Sequence, residues 1–95
     1  MQSYSFKLVY TPDDTSSDRT RESGVVSKAI GPVDAIGLFL DSIGMEKLID
    51  EFVSEFHEQL DGEDLSEGGS FVVFGNSGEW EIEWKVTCKY QNSTK

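Results

Sequence analysis

The sequence predicts an α+β domain: a small antiparallel sheet of three to four strands with two helices packed on one face. Three observations carry this. Near the C-terminus, Trp80, Ile82, Trp84, Val86, Cys88 and Tyr90 alternate without a miss with Glu79, Glu81, Glu83, Lys85, Thr87 and Lys89, the two-residue period of a strand with one buried face. In the middle, Met45, Leu48, Ile49, Phe52, Val53, Phe56 and Leu60 recur at steps of three and four, which puts them on one stripe of an α-helix. At the N-terminus, Tyr4, Phe6, Leu8 and Tyr10 alternate with Ser5, Lys7 and Val9. The order β-(β)-α-α-β-β that results makes an antiparallel sheet covered by helices on one side.

Taken in order, residues 3–11 form the first strand, and Pro12 removes a ladder donor and ends it. Residues 12–24, PDDTSSDRTRESG, hold no large apolar residue and read as a polar loop. A solvated connection suits them better than a contact loop built on Arg19 and Arg21. Residues 25–30, VVSKAI, are β-branched enough for a short second strand, with an early start of the next helix as the alternative. Gly31-Pro32 then resets the chain. Gly31 serves as N-cap, Pro32 suits the first turn, and Asp34 meets the positive end of the helix dipole. This helix runs to about Ile43, with Val33, Ile36, Phe39, Leu40 and Ile43 inward and Gly37 allowing close approach of another element.

Gly44 breaks that helix and restarts the chain as a second, acidic one over 44–60. Its stripe, Leu48, Ile49, Phe52, Val53 and Phe56, is expected to lie on the Trp80/Ile82/Trp84 wall. Residues 61–69, DGEDLSEGG, are an acidic loop. Their spacing is not that of a calcium loop, because Leu65 and Ser66 occupy positions that need an acid and a glycine. SFVVF over 70–74 is a short strand, and Gly75-Asn76-Ser77-Gly78 supplies a hairpin turn. The last strand pairs with the first, so that Lys7 faces Glu81 or Glu83. Residues 91–95 read as a flexible tail. The whole of 1–95 is one domain, as its length requires.

Two Trp, six Phe and three Tyr are enough aromatic mass for the core of so short a chain. No apolar run approaches the roughly 18–20 residues of a membrane span. The N-terminus lacks the basic start and continuous apolar run of a signal peptide. Cys88, the single cysteine, cannot form an internal disulfide. A cytoplasmic protein is expected.

Catalytic chemistry finds little to work with. His57 is the one histidine, at the margin of the apolar stripe, and Cys88 falls on the inward side of the last strand. Glu81 and Glu83 are spaced like paired carboxylates, but on a strand face without a cleft. No phosphate-cradling glycine loop, basic patch or metal-ligand spacing is present. The expectation is a non-enzyme without cofactor or metal.

The acid is the loudest functional signal. The net charge is −10, and residues 45–67 hold nine acids against Lys47. Such a field repels nucleic acid and acidic membranes and attracts basic surfaces. Like-charge pairs Glu46–Asp50, Glu51–Glu55 and Glu55–Glu58 each cost a helix ~0.2–0.5 kcal/mol. Glu55, Glu58 and Asp61 also crowd the negative end of the dipole. A helix that tolerates this is shaped for a basic partner. The expected partner-binding residues are Glu46, Asp50, Glu51, Glu55, Glu58, Asp61, Glu63, Asp64 and Glu67. The expected function is inhibition of a basic, nucleic-acid-handling protein, as a toxin immunity protein or an anti-defence charge mimic would provide. The alternative is a non-catalytic homo-oligomeric structural or assembly subunit, joined through an edge strand or the aromatic sheet.

Overall fold

In the computed structural model, residues 2–13, 19–75 and 78–89 are described, except for the side chains of Cys88 and Lys89. The β-branched and aromatic runs form β1 (Gln2–Pro12), β2 (Thr20–Ala29), β3 (Gly68–Phe74) and β4 (Gly78–Lys89). They make one antiparallel sheet in the order β2-β1-β4-β3. Two helices, α1 (Pro32–Ser42) and α2 (Ile49–Leu60), lie on one face. The α+β architecture expected from the sequence is therefore the one observed.

The long last strand does pair with the first, and its register sets Lys7 opposite Glu83. Tyr4, Phe6 and Leu8 of β1, Phe71 and Val73 of β3, and Ile82 and Trp84 of β4 are all buried on the helix side. The expected placement of Cys88 and Tyr90 on that wall, the tail 91–95, and the loop centre 14–18 lie outside what is described.

β2 departs from the expected strand in two ways. β2 begins at Thr20, so residues 20–24 belong to the sheet and not to the polar loop. Their side chains gave no sign of it, because Thr20, Arg21, Glu22 and Ser23 are polar and exposed and Gly24 has no side chain. Opposite Ser3, β2 also carries an extra residue: Tyr4 pairs with Val26 but Gln2 with Ala29. Lys28 adopts a φ of 63° in this bulge. The bulge lets Val26 and Ala29, three apart, both face the core, while Val25 and Ile30 are 68% and 80% exposed.

Aromatic rings join the sheet to the helices. Phe39 of α1 stacks on Phe6 with centroids 4.8 Å apart and planes 7° from parallel. Gly24 makes this fit possible, since a Cβ there would stand 3.3 Å from the Phe39 ring. Phe52 and Phe56 of α2 both meet Phe71, at 6.2 and 6.0 Å. Phe52 reaches Trp80 and Phe56 reaches Trp84, at 6.3 and 5.8 Å. Phe52 and Phe56 of the expected stripe thus reach the tryptophan wall, with Phe71 as a third ring between, whereas Val53 is only half-buried. Tyr4 is buried too, and its hydroxyl donates to Gln2 Oε1 at 2.7 Å. Burial, with Asp34 as a lesser cause, pushes its pKa above the ordinary tyrosine value.

The helix boundary at Gly44 is sharper than one broken rod. Met45 N–H bonds Leu40 C=O and Gly44 N–H bonds Asp41 C=O, with Gly44 at φ 81°. This is a Schellman stop, which favours glycine because the left-handed region penalises a Cβ. A single 3-10 turn over Glu46–Leu48 follows before α2 begins at Ile49. The acidic helix is therefore shorter than 44–60. Gly37 also differs from expectation. A Cβ there would meet only Ile49 Cγ2 of α2, at an ordinary 3.8 Å, so α1 and α2 do not require a glycine.

The β3 edge is partly closed by a side chain. Gln59 of α2 donates to Val72 C=O at 2.7 Å and accepts from Val72 N–H at 3.4 Å, in the manner of a neighbouring strand. Glu55 Oε1, one turn earlier, accepts from the same Gln59 amide at 2.8 Å.

Two stability changes follow. Gly37→Ala should stabilise the fold by about 0.5–1 kcal/mol, because it adds helix propensity without a clash. Chemical denaturation measures it, and a destabilised variant would show that α1 and α2 do need the glycine. Gln59→Ala should lower stability by about 1 kcal/mol and speed hydrogen exchange at the Val72 amide. Unchanged exchange would show that Gln59 does not protect that edge.

Candidate functional site

The acids of 45–67 emerge from three kinds of backbone. Glu46 and Lys47 lie in the 3-10 turn. Asp50 and Glu51 occupy the first turn of α2, and Glu58 its last. Asp61 ends the helix, and Glu63, Asp64 and Glu67 belong to the loop before β3. Eight of the nine expected partner-binding acids are exposed: Glu46, Asp50, Glu51, Glu58, Asp61, Glu63, Asp64 and Glu67. Glu55 is the exception. It is half-buried and holds Gln59 against the β3 edge.

This placement changes the electrostatics inferred from the sequence. With α2 starting at Ile49, Asp50 and Glu51 face the positive end of the dipole, where carboxylates are favoured. Glu46 lies outside the α-helix, so its pairing with Asp50 carries no helical penalty of the kind expected. Repulsion concentrates at the other end, where Glu58 and Asp61 meet the negative pole.

The acidic loop is tethered. Asp64 Oδ1 accepts the Ser66 N–H at 3.1 Å, an Asx turn. Glu67 C=O accepts the Val86 N–H at 3.0 Å, which extends the sheet into the loop. Leu65 is half-buried against the core. Gly68 and Gly69 that follow are required by contact. A Cβ on Gly68 would stand 2.3 Å from Trp84 C=O, and one on Gly69 would stand 2.8 Å from the Trp84 ring. The pair of glycines thus serves the tryptophan and not a ligand.

A cleft of about 370 Å³ opens where the start of α2 meets the β3–β4 hairpin. Tyr10, Leu48, Glu51, Phe52, Phe74, Gly75 and Trp80 line it. The Tyr10 and Trp80 rings lie 4.4 Å apart, tilted by 41°. Phe52 is buried, and Phe74 is 73% exposed. Sequence reasoning placed Glu51 among the site residues and missed the aromatic ones. A signal existed: with Phe71 and Val73 inward, alternation sends Phe74 outward, an aromatic beside a turn.

The other candidates are scattered. His57 is exposed and meets the ring of Phe56 edge-on at 5.4 Å. Glu81 and Glu83 stand on the sheet face away from the helices, opposite Val72 and Ser70 of β3. Arg19 and Arg21 are exposed, and Arg21 pairs in register with Val9. Among the described residues no group of His, Cys, Asp and Glu could hold a metal ion, and no helix is long and apolar enough to cross a membrane.

In comparison with known proteins, no family, no curated protein and no solved structure matches the chain, so the functional reading rests on the chemistry of these surfaces.

Proposed function

We propose that this chain is a small acidic protein-binding module that neutralises a basic, nucleic-acid-handling partner. The observation that supports it best is the run of exposed carboxylates from the 3-10 turn through α2 to the loop before β3. Within 45–67, Lys47 is the sole fixed positive charge. A surface of one sign steers an oppositely charged partner and rejects like-charged ones. It repels nucleic acid itself, so the partner is a protein that binds nucleic acid and not the polymer. An immunity protein for a toxic nuclease and an anti-defence charge mimic are the two settings that suit this size and charge. The module acts by occupying a surface, without catalysis or cofactor.

A second reading has one observation in its favour. β2 is an edge strand, and Val25 on it and Ile30 just beyond are among the most exposed apolar residues. Strand addition there would make a homo-oligomeric assembly subunit.

The first reading is tested by reversing charges that have no structural partner role. Glu58/Asp61/Glu63→Lys spares Glu55, which holds Gln59, and Asp50, which meets the positive end of the dipole. It adds lysines at and just beyond the helix C-terminus, where the dipole welcomes them. Capture of a partner from host extract should weaken by more than about tenfold in this variant. It should also fall as salt shortens the Debye length below about 10 Å. Capture that ignores both salt and charge reversal would refute the reading. Light scattering at tens of micromolar decides the second: a monomer removes it, and a defined dimer that Val25→Lys dissolves supports it.

A further inference from the structure

We propose that the cleft at the start of α2 receives an arginine side chain of the partner protein. This deepens the reading above and rests on it. The acidic surface attracts any basic protein, but a surface of exposed carboxylates does not fix a docking position. The cleft can. Its aromatic walls, Tyr10 and Trp80, offer π faces of negative potential, and Glu51 adds a carboxylate to the same lining. Aromatic walls with one acid, on a chain of net charge −10, select a cation and disfavour an anion.

Arginine suits this lining better than lysine. A guanidinium is flat and weakly hydrated, so it can lie on a ring while its N–H fork meets a carboxylate. A lysine ammonium is compact and strongly hydrated. The volume of about 370 Å³ accommodates one long side chain with part of its backbone. Buried aromatic and arginine contacts are also the type that dominate the energy of protein interfaces, while the surrounding charges contribute little each. The eight exposed acids thus govern approach, and the cleft governs position.

The test uses three blocked tripeptides, Gly-Arg-Gly, Gly-Lys-Gly and Gly-norleucine-Gly, titrated into the isotope-labelled chain and followed by NMR. The arginine peptide should move the Trp80 indole N–H and the amides of Glu51 and Gly75, saturating in the millimolar range. Lysine should bind several-fold more weakly, and norleucine at least about tenfold more weakly. Glu51→Gln, at an exposed position, should weaken the arginine response several-fold while leaving the rest of the spectrum in place. Equal responses to arginine and norleucine would overturn the inference, because the cleft would then be a plain apolar pocket. Shifts confined to Glu58, Asp61 and Glu63 would overturn it too, yet leave the acidic-surface reading standing. Absence of any shift overturns it as well. Cleft shifts without shifts along the acids uphold it and leave that reading to its own charge reversal.

Discussion

The structure depends on the seat of one side chain, the Trp84 indole. β4 is a central strand, and Trp84 is 1% exposed at its middle. Its ring meets Phe6 on β1, Phe71 on β3 and Phe56 on α2, at 6.2, 6.0 and 5.8 Å. Phe6 in turn carries Phe39 of α1. Both helices are therefore fastened to the sheet through rings that converge on one residue. Room for it comes from Gly69, where a Cβ would stand 2.8 Å from the ring, while Gly68 lets β3 approach the Trp84 backbone. Its Nε1 makes no hydrogen bond among the described residues. An unmade bond of that kind costs about 1–3 kcal/mol, which the burial of several large rings outweighs at about 1.5–3 kcal/mol each.

That constraint explains why so much of the fold was legible in the sequence. A wall of Trp80, Ile82 and Trp84 needs an unbroken two-residue period, and a strand in that period can have one inward face. The helix stripe likewise had one place to go. What was not legible depended on geometry without a side-chain signature. The bulge at Lys28 reads as ordinary sequence. Residues 20–24 looked like loop because they carry four polar, exposed side chains and a glycine. Gly37 looked like a close-contact glycine, though Ile49 leaves it ordinary space.

The acidic region was legible as charge and less so as architecture. Composition located the carboxylates but could not tell which were free. Glu55 is a neighbour of Glu51 and Glu58 in the same pattern, yet it positions Gln59. The helix start at Ile49 was hidden because the 3-10 turn keeps Leu48 close to the stripe. That shift of a few residues moved Asp50 and Glu51 from mid-helix to the first turn, at the positive end of the dipole. The cleft was invisible for a different reason. Its lining comes from β1, the 3-10 turn, α2 and the β3–β4 hairpin, and no short stretch of chain contains it.

The Gln59 amide has a consequence for how copies of this chain can associate. It occupies the outward backbone groups of Val72 at the middle of β3, whereas β2 has no strand on its outer side among the described residues. The two margins of the sheet are thus unequal. A sheet open at both margins can extend indefinitely, head to tail, into a fibre. A margin occupied at its middle by a side-chain amide offers an added strand fewer backbone groups, so the two margins of this sheet are not interchangeable as templates for a further strand.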